Sequence, residues 1–157
     1  MSRASSKRGG ENAASEVIQR FPELEYVPDT DAQHYDARVS ELLCPSTALP
    51  FVGICLLEVD TVVEIKSTMV VYGSAQSRGG FYLRRKQHQR LVNEAGVYLF
   101  VVCEPRPSRP LIAAKVVPAT SVGGIVSSWI DGGDRADYAQ ITWGRIFDEN
   151  EVGRPSP

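Results

Sequence analysis

Acidic residues are missing from one long stretch of this chain. Between Glu64 and Glu94 there is no aspartate or glutamate, while Lys66, Arg78, Arg84, Arg85, Lys86 and Arg90 all fall there. The 157-residue chain is acidic as a whole, with 19 Asp and Glu against 17 Lys and Arg. The segment is therefore a local positive patch. Nucleic acid is a natural partner for such a patch, and a solvated helix face is the plainer account. Cysteine is scarce as well. Cys44, Cys55 and Cys103 are odd in number and form no C-x-x-C pair, which excludes a zinc site. Cys55 and Cys103 lie in apolar stretches and read as buried thiols, in keeping with a reducing cytoplasm. No apolar run approaches the length of a membrane span, so no membrane partner is expected. The opening "MSRASSKRGG" lacks the apolar core of a secretory signal and reads as a disordered basic tail. Internal repeats are absent.

What is present is an ordinary globular composition, 43% hydrophobic and 23% charged, long enough for one domain with a real core. The expected organisation is a tail over residues 1–10, a single domain over 11–150 and a C-terminal tail over 151–157. "ENAASEVIQRF" (11–21) has the stripe Ala14, Val17, Ile18 and Phe21 of an amphipathic helix, which Pro22 ends. "ELEYV" and "HYDARV" read as short strands and "SELLCPSTALP" as a loop. "FVGICLLE" reads as a strand that turns through "VDT" into "TVVEIKST" and on into "STMVVYG". "SAQSRGG" has the composition of a mobile loop. "YLRRKQHQRLVNEA" (82–95) reads as a second long helix closed by Gly96. "VYLFVVCE" and "LIAAKVVPA" read as strands around the turn "PRPSRP", "SVGGIVSSWI" as a weak helix or loop, and "YAQITW" as a closing strand. The order α-β-β-β-α-β with a return strand is a mixed α/β sandwich.

One strand carries an oddity. In "TVVEIKST", Val63 and Ile65 share one face while Glu64 and Lys66 share the other. Its apolar neighbours in sequence place it centrally, where desolvating an ion costs several kcal/mol. An exposed edge strand is the plain explanation. Three further residue groups argue for chemistry. Asp36, at the end of a neighbouring strand, can meet Glu64. Two converging carboxylates repel unless a cation separates them, and such oxygen ligands suit Mg²⁺. Lys66 then lies within reach of a phosphate oxygen or an attacking water. Taken alone, Asp36 reads equally well as a turn cap. On the first helix Glu11 falls about 60° from the centre of the apolar stripe, whereas Glu16 faces water; Glu11 also complements the helix dipole there. On the second helix the apolar stripe of Leu91 continues towards the N-terminus as Arg84, Gln87 and His88. That is either a polar cleft border or solvated first turns.

This pattern, with an acid on the first helix, Asp36, "VEIK" and a helix bearing Gln and His before "GVYLFVV", resembles the PD-(D/E)xK nuclease superfamily. That group includes restriction endonucleases and archaeal Holliday junction resolvases, and "YDAR … VEIKS … GGFYLRRKQHQRL … GVYLFVV" is similar to its small archaeal members. The resemblance covers roughly residues 8 to 118. It implies a restriction endonuclease-like αβββαβ core with a mixed central sheet flanked by helices, and Mg²⁺- or Mn²⁺-dependent hydrolysis of DNA phosphodiesters. Metal binding would fall to Asp36, Glu64 and the carbonyl of Ile65, catalysis to Lys66, and the helix acid would be Glu11. Asp60, in the turn "VDT", ranks second as the motif aspartate, and Glu16 is the alternative helix acid. Tyr35 stands where many members have proline. Arg84, Gln87 and His88 are expected to border the cleft, and Arg78, Arg85 and Lys86 to hold phosphates further along. A homodimer is compatible with this picture. The alternative within the same fold is a nucleic-acid-binding module without turnover.

Overall fold

A computed structural model describes residues 13–28, 30–31, 35–72, 77–105, 110–134 and 137–152. The chain opens with α1 (13–20), then β1 (Leu24–Tyr26), β2 (Ala37–Val39) and β3 (Val62–Met69). A short hairpin of β4 (Val71–Tyr72) and β5 (Ser77–Arg78) leads into β6 (Gly80–Arg84) and α2 (Arg85–Asn93). β7 (Val97–Cys103), β8 (Leu111–Pro118), α3 (Ala119–Ile125) and β9 (Tyr138–Thr142) follow. A 3₁₀ turn (Trp143–Arg145) and α4 (Glu149–Val152) close the described chain. Five strands form the central sheet in the order β1-β2-β3-β7-β8. β3 and β7 run parallel, because α2 carries the chain back between them, and the other pairs are antiparallel. The αβββαβ order and mixed sheet expected from the sequence are present. Among the described residues no helix is long and apolar enough to cross a membrane.

Each face of this sheet has its own cover. Val63, Ile65, Val97, Leu99, Val101, Ala114 and Val116 face Ala13 and Val17 of α1 and the buried leucines Leu43, Leu49 and Leu57 of the long β2–β3 connection. Val62, Tyr98, Phe100, Val102 and Val117 face Phe81 and Leu83 of β6, Leu91 of α2, Val122 of α3, Ile141 of β9 and Trp143. Fully burying a side chain of this size contributes about 1.5–3 kcal/mol. The two-fold alternation of β3 puts Glu64 and Lys66 on the second face, with Val62. All seven residues of β7 are buried, which explains its unbroken apolar sequence.

Several expected boundaries move. "FVGICLLE" is not a strand. It touches the fold through single bridges at Phe51 and Leu57, and Val52, Cys55 and Leu56 are exposed. Its apolar residues anchor a loop at intervals instead of filling a ladder, so Cys55 is an exposed thiol; Cys103 is buried as expected. The second helix starts at Arg85, three residues late, because Gly80–Arg84 pairs with Tyr138–Thr142 as a separate hairpin. The closing strand therefore joins β6 and not the central sheet. Trp143 fastens this hairpin to the sheet, its indole N–H donating to the carbonyl of Val70 at 2.7 Å. α2 ends with Ala95, not Gly96, in the left-handed region (φ 54°). Gly96 N–H donates to Leu91 O and Ala95 N–H to Val92 O, the double closure of a Schellman motif. Gly96 is glycine for another reason: a Cβ there would lie 2.8 Å from Val62 Cγ2 and 3.1 Å from the Val62 carbonyl. The folded part also runs past residue 150. Val152 is buried, and Glu151 accepts from the buried Lys115 ammonium at 2.5 Å. Residues 106–109 of the expected turn, residues 74–76 of the expected mobile loop and Gly73 at the end of "STMVVYG" lie outside the described residues.

Candidate active site

β2 and β3 stay paired only as far as Ala37 and Val63. Just before that point the Asp36 N–H donates to Val63 O and its carbonyl accepts from Val27 N–H, each at 2.9 Å. Beyond it β2 leaves the sheet, and the Ile65 amide has no strand carbonyl to bond. The Asp36 side chain fills the gap: its Oδ2 accepts from Ile65 N–H at 2.9 Å. A carboxylate is thereby fixed at the point where the ladder opens. In a strand the carbonyl of a residue points to the same side as its amide, so the Ile65 carbonyl also faces this opening.

Glu64 projects beside Asp36 and is only 4% exposed. Burial pushes its carboxyl well above the usual carboxylate range, and a hydrogen bond with Asp36 pushes it further, while Lys66 opposes both. These effects favour the neutral form of the Glu64 carboxyl where it meets Asp36. Lys66 Nζ lies 3.2 Å from Glu64 Oε2 and donates to Gln87 Oε1 at 3.0 Å. Gln87 sits in the first turn of α2, so this helix holds the lysine against the carboxyl pair. Asp36, Glu64, Lys66 and Gln87 are the residues from the sequence reading that the fold brings together. Asp60 stays apart, in an exposed turn with φ 75°.

The remaining candidates divide. Glu11 lies outside the described residues; the described part of its helix covers the sheet face opposite Glu64. Glu16 pairs with Arg20 at 2.7 Å. His88 does not border a cleft. It is buried, its Nδ1 lies 3.0 Å from the Tyr98 hydroxyl, and its ring packs between Tyr98 and Trp129. His88 keeps the inward direction of the Leu91 stripe but packs into the core, while Gln87, on the neighbouring side of the helix, meets Lys66. Burial lowers its pKa, in keeping with a neutral ring. Arg84 is not on a core stripe either, because it ends β6 on the exposed side of that strand. Arg85, Lys86 and Arg90 are exposed as expected, with Arg85 3.3 Å from Asp137. Arg78 belongs to β5, not to a free loop: it pairs with Glu149 and lies 4.4 Å over the Trp143 ring.

Tyr98 is a neighbour the sequence reading did not pick out. It faces Glu64 across the β3–β7 register and is fully buried, and burial and the nearby Glu64 raise its phenol above the ordinary value. Its signal in the sequence was a lone polar group in the first half of an otherwise apolar strand.

The donor set tests well against a divalent cation. Two carboxylates and a carbonyl are hard oxygen ligands of the kind Mg²⁺ and Mn²⁺ prefer. A cation would offset the repulsion between the two carboxylates once Glu64 is ionised. Among the described residues no three His, Cys, Asp or Glu side chains gather into a metal-binding group, so most of a coordination shell would be water and substrate. A family model described as the PD-(D/E)XK nuclease superfamily domain matches residues 1–148. Comparison with curated proteins and with solved structures gave no significant match.

Proposed function

The chain belongs to the PD-(D/E)XK nuclease superfamily, and from that footing we propose that it is a metal-dependent endonuclease hydrolysing phosphodiester bonds in DNA. The observation that carries this reading is the meeting of Asp36 with both the Glu64 carboxyl and the Ile65 amide, beside a lysine held by Gln87. Nucleases of this superfamily generally use divalent metals. Asp36, Glu64 and the Ile65 carbonyl would hold Mg²⁺ or Mn²⁺, which when bound supplies Lewis-acid stabilisation of the phosphate oxygens. Holding it requires Glu64 to give up its proton, and the proximity of Lys66 favours that ionisation. Lys66 is then placed to stabilise charge on the scissile phosphate or to orient the attacking water. Gln87 keeps the ammonium from collapsing fully onto Glu64. The exposed cations Arg85, Lys86 and Arg90 would hold phosphates outside the site.

The test is cleavage of linear, nicked and four-way DNA with added Mg²⁺. Wild type should cut at least one, and Lys66→Ala should lose cleavage while keeping its thermal transition. Asp36→Asn with Glu64→Gln should lose Mg²⁺ binding in calorimetry. Unchanged metal binding in that double variant refutes the assignment. Metal-independent DNA binding without turnover by the wild type would identify a silent binding module.

A further inference from the structure

The strand next to the carboxyl pair carries an arginine to which the reading above assigns no role. Resting on that reading, we infer that Arg38 anchors a backbone phosphate of the bound DNA, adjacent to the phosphate at Asp36 and Glu64. Ala37 and Val39 are buried on one face of β2, and Arg38 is exposed on the other, the face that bears Glu64. Arg38 pairs across the ladder with Val62. Glu64 is its diagonal neighbour, with Cα atoms about 7–8 Å apart, a span that a long side chain covers.

The guanidinium is held but not neutralised. Nη2 donates to the Tyr35 hydroxyl at 2.7 Å, and the guanidinium carbon lies 5.8 Å from the centre of the same ring. Tyr35 is buried, so an immobile phenol fixes an exposed cation. Arg20, Arg78 and Arg85 each have a carboxylate within 4 Å. Arg38 has none among the described residues; Glu25 and Asp60 act on it only at longer range. One bond to Tyr35 leaves most of its N–H donors open, in the planar fork that matches phosphate oxygens. Its ordering entropy has largely been spent on folding, which favours binding. Lys66 lies on the other side of Glu64 along the same face. By strand register Arg38 on β2 and Lys66 on β3 stand on either side of Glu64 on one face, so a DNA backbone crossing that face would run from β2 to β3. This also gives Tyr35 a use: it sets the arginine three residues on.

The experiment is equilibrium binding of a duplex oligonucleotide in EDTA over a salt series, with thermal unfolding in parallel, for wild type, Arg38→Ala and Arg38→Lys. Arg38→Ala should bind roughly tenfold more weakly at low salt, the size of one charge-assisted contact. Its slope of log K against log salt should be smaller by about 0.9. Arg38→Lys should keep the slope and recover only part of the affinity. If Arg38 merely satisfies the Tyr35 hydroxyl, Arg38→Ala will unfold earlier yet keep the wild-type slope and affinity, and the anchor is refuted while the nuclease reading stands. Wild type that binds no DNA at any salt would overturn both.

Discussion

At the scale of single residues, Glu64 sets the behaviour of the site. It is buried beside another carboxyl, and its raised pKa makes it a proton carrier in the metal-free protein. The unfolded chain releases that proton near the ordinary glutamate value of 4.5, the folded chain only at higher pH. Between those values the unfolded state binds fewer protons, so folding stability is highest below the window and falls as pH rises through it. Denaturant unfolding across pH in EDTA should show this decline for wild type, and Glu64→Gln should remove it. His88, neutral in the fold, imposes an opposite slope, but both proteins share it and it cancels in their difference. Mg²⁺ should flatten the wild-type decline. Identical pH profiles for the two proteins would mean that Glu64 ionises normally.

At the scale of elements, α2 decides what faces the site. It begins at Arg85, after β6 has taken Gly80–Arg84 into its hairpin with β9, and within it Gln87 meets Lys66 while His88 meets Tyr98. Its end depends on an alanine in a conformation that suits glycine. Ala95→Gly relieves the Cβ clash at φ 54° at some cost in unfolded-chain entropy, and should stabilise the protein by about 0.5–1 kcal/mol in chemical denaturation. Gly96→Ala should destabilise by about 1–3 kcal/mol, because the added methyl meets Val62 and Leu91. If Gly96→Ala were harmless, the close approach of helix end and β3 would not be needed. α4 is tied down in a different way. Burial works against ionisation of Glu151, but bonds from the Asp148 N–H and from Lys115 outweigh it and hold its pKa below the ordinary value.

At the scale of the whole molecule, a negatively charged protein gathers exposed cations beside the proposed site. Arg84, Arg85, Lys86 and Arg90 stand exposed at the hairpin end and on the helix that holds Lys66. Arg85→Ala with Lys86→Ala should weaken duplex binding and lower the salt slope by about 1–2, the smaller value applying if Arg85 keeps its pair with Asp137. The single-turnover cleavage rate at saturating protein should stay near wild type. An unchanged slope would reduce this helix face to ordinary solvated surface.

The sequence by itself determined the αβββαβ core order and the acid–base pair on β3. Both follow from short-range rules: a two-residue period fixes which side chains share a face, and apolar runs without interruption mark strands covered on both sides. It also offered Asp36 as the partner carboxylate, with a turn cap as an equal reading and Asp60 as second choice, and only the fold puts Asp36 against the Ile65 amide and Glu64. What the tertiary structure decided were matters of phase and pairing. "FVGICLLE" has the composition of a strand, but no neighbouring ladder takes it up, which leaves Cys55 in solvent. "GFYLR" pairs with a partner nearly sixty residues away, and that non-local choice shifted the helix start and took Arg84 off the helix, while packing against Tyr98 and Trp129 made His88 a core residue and not a cleft residue. The same kind of long-range pairing brought Tyr98 beside Glu64 and removed Arg78 from the free cations. Neighbouring helical side chains differ by about 100° in direction, so local pattern can name the helix and still not say which of Gln87 and His88 faces the site and which the core.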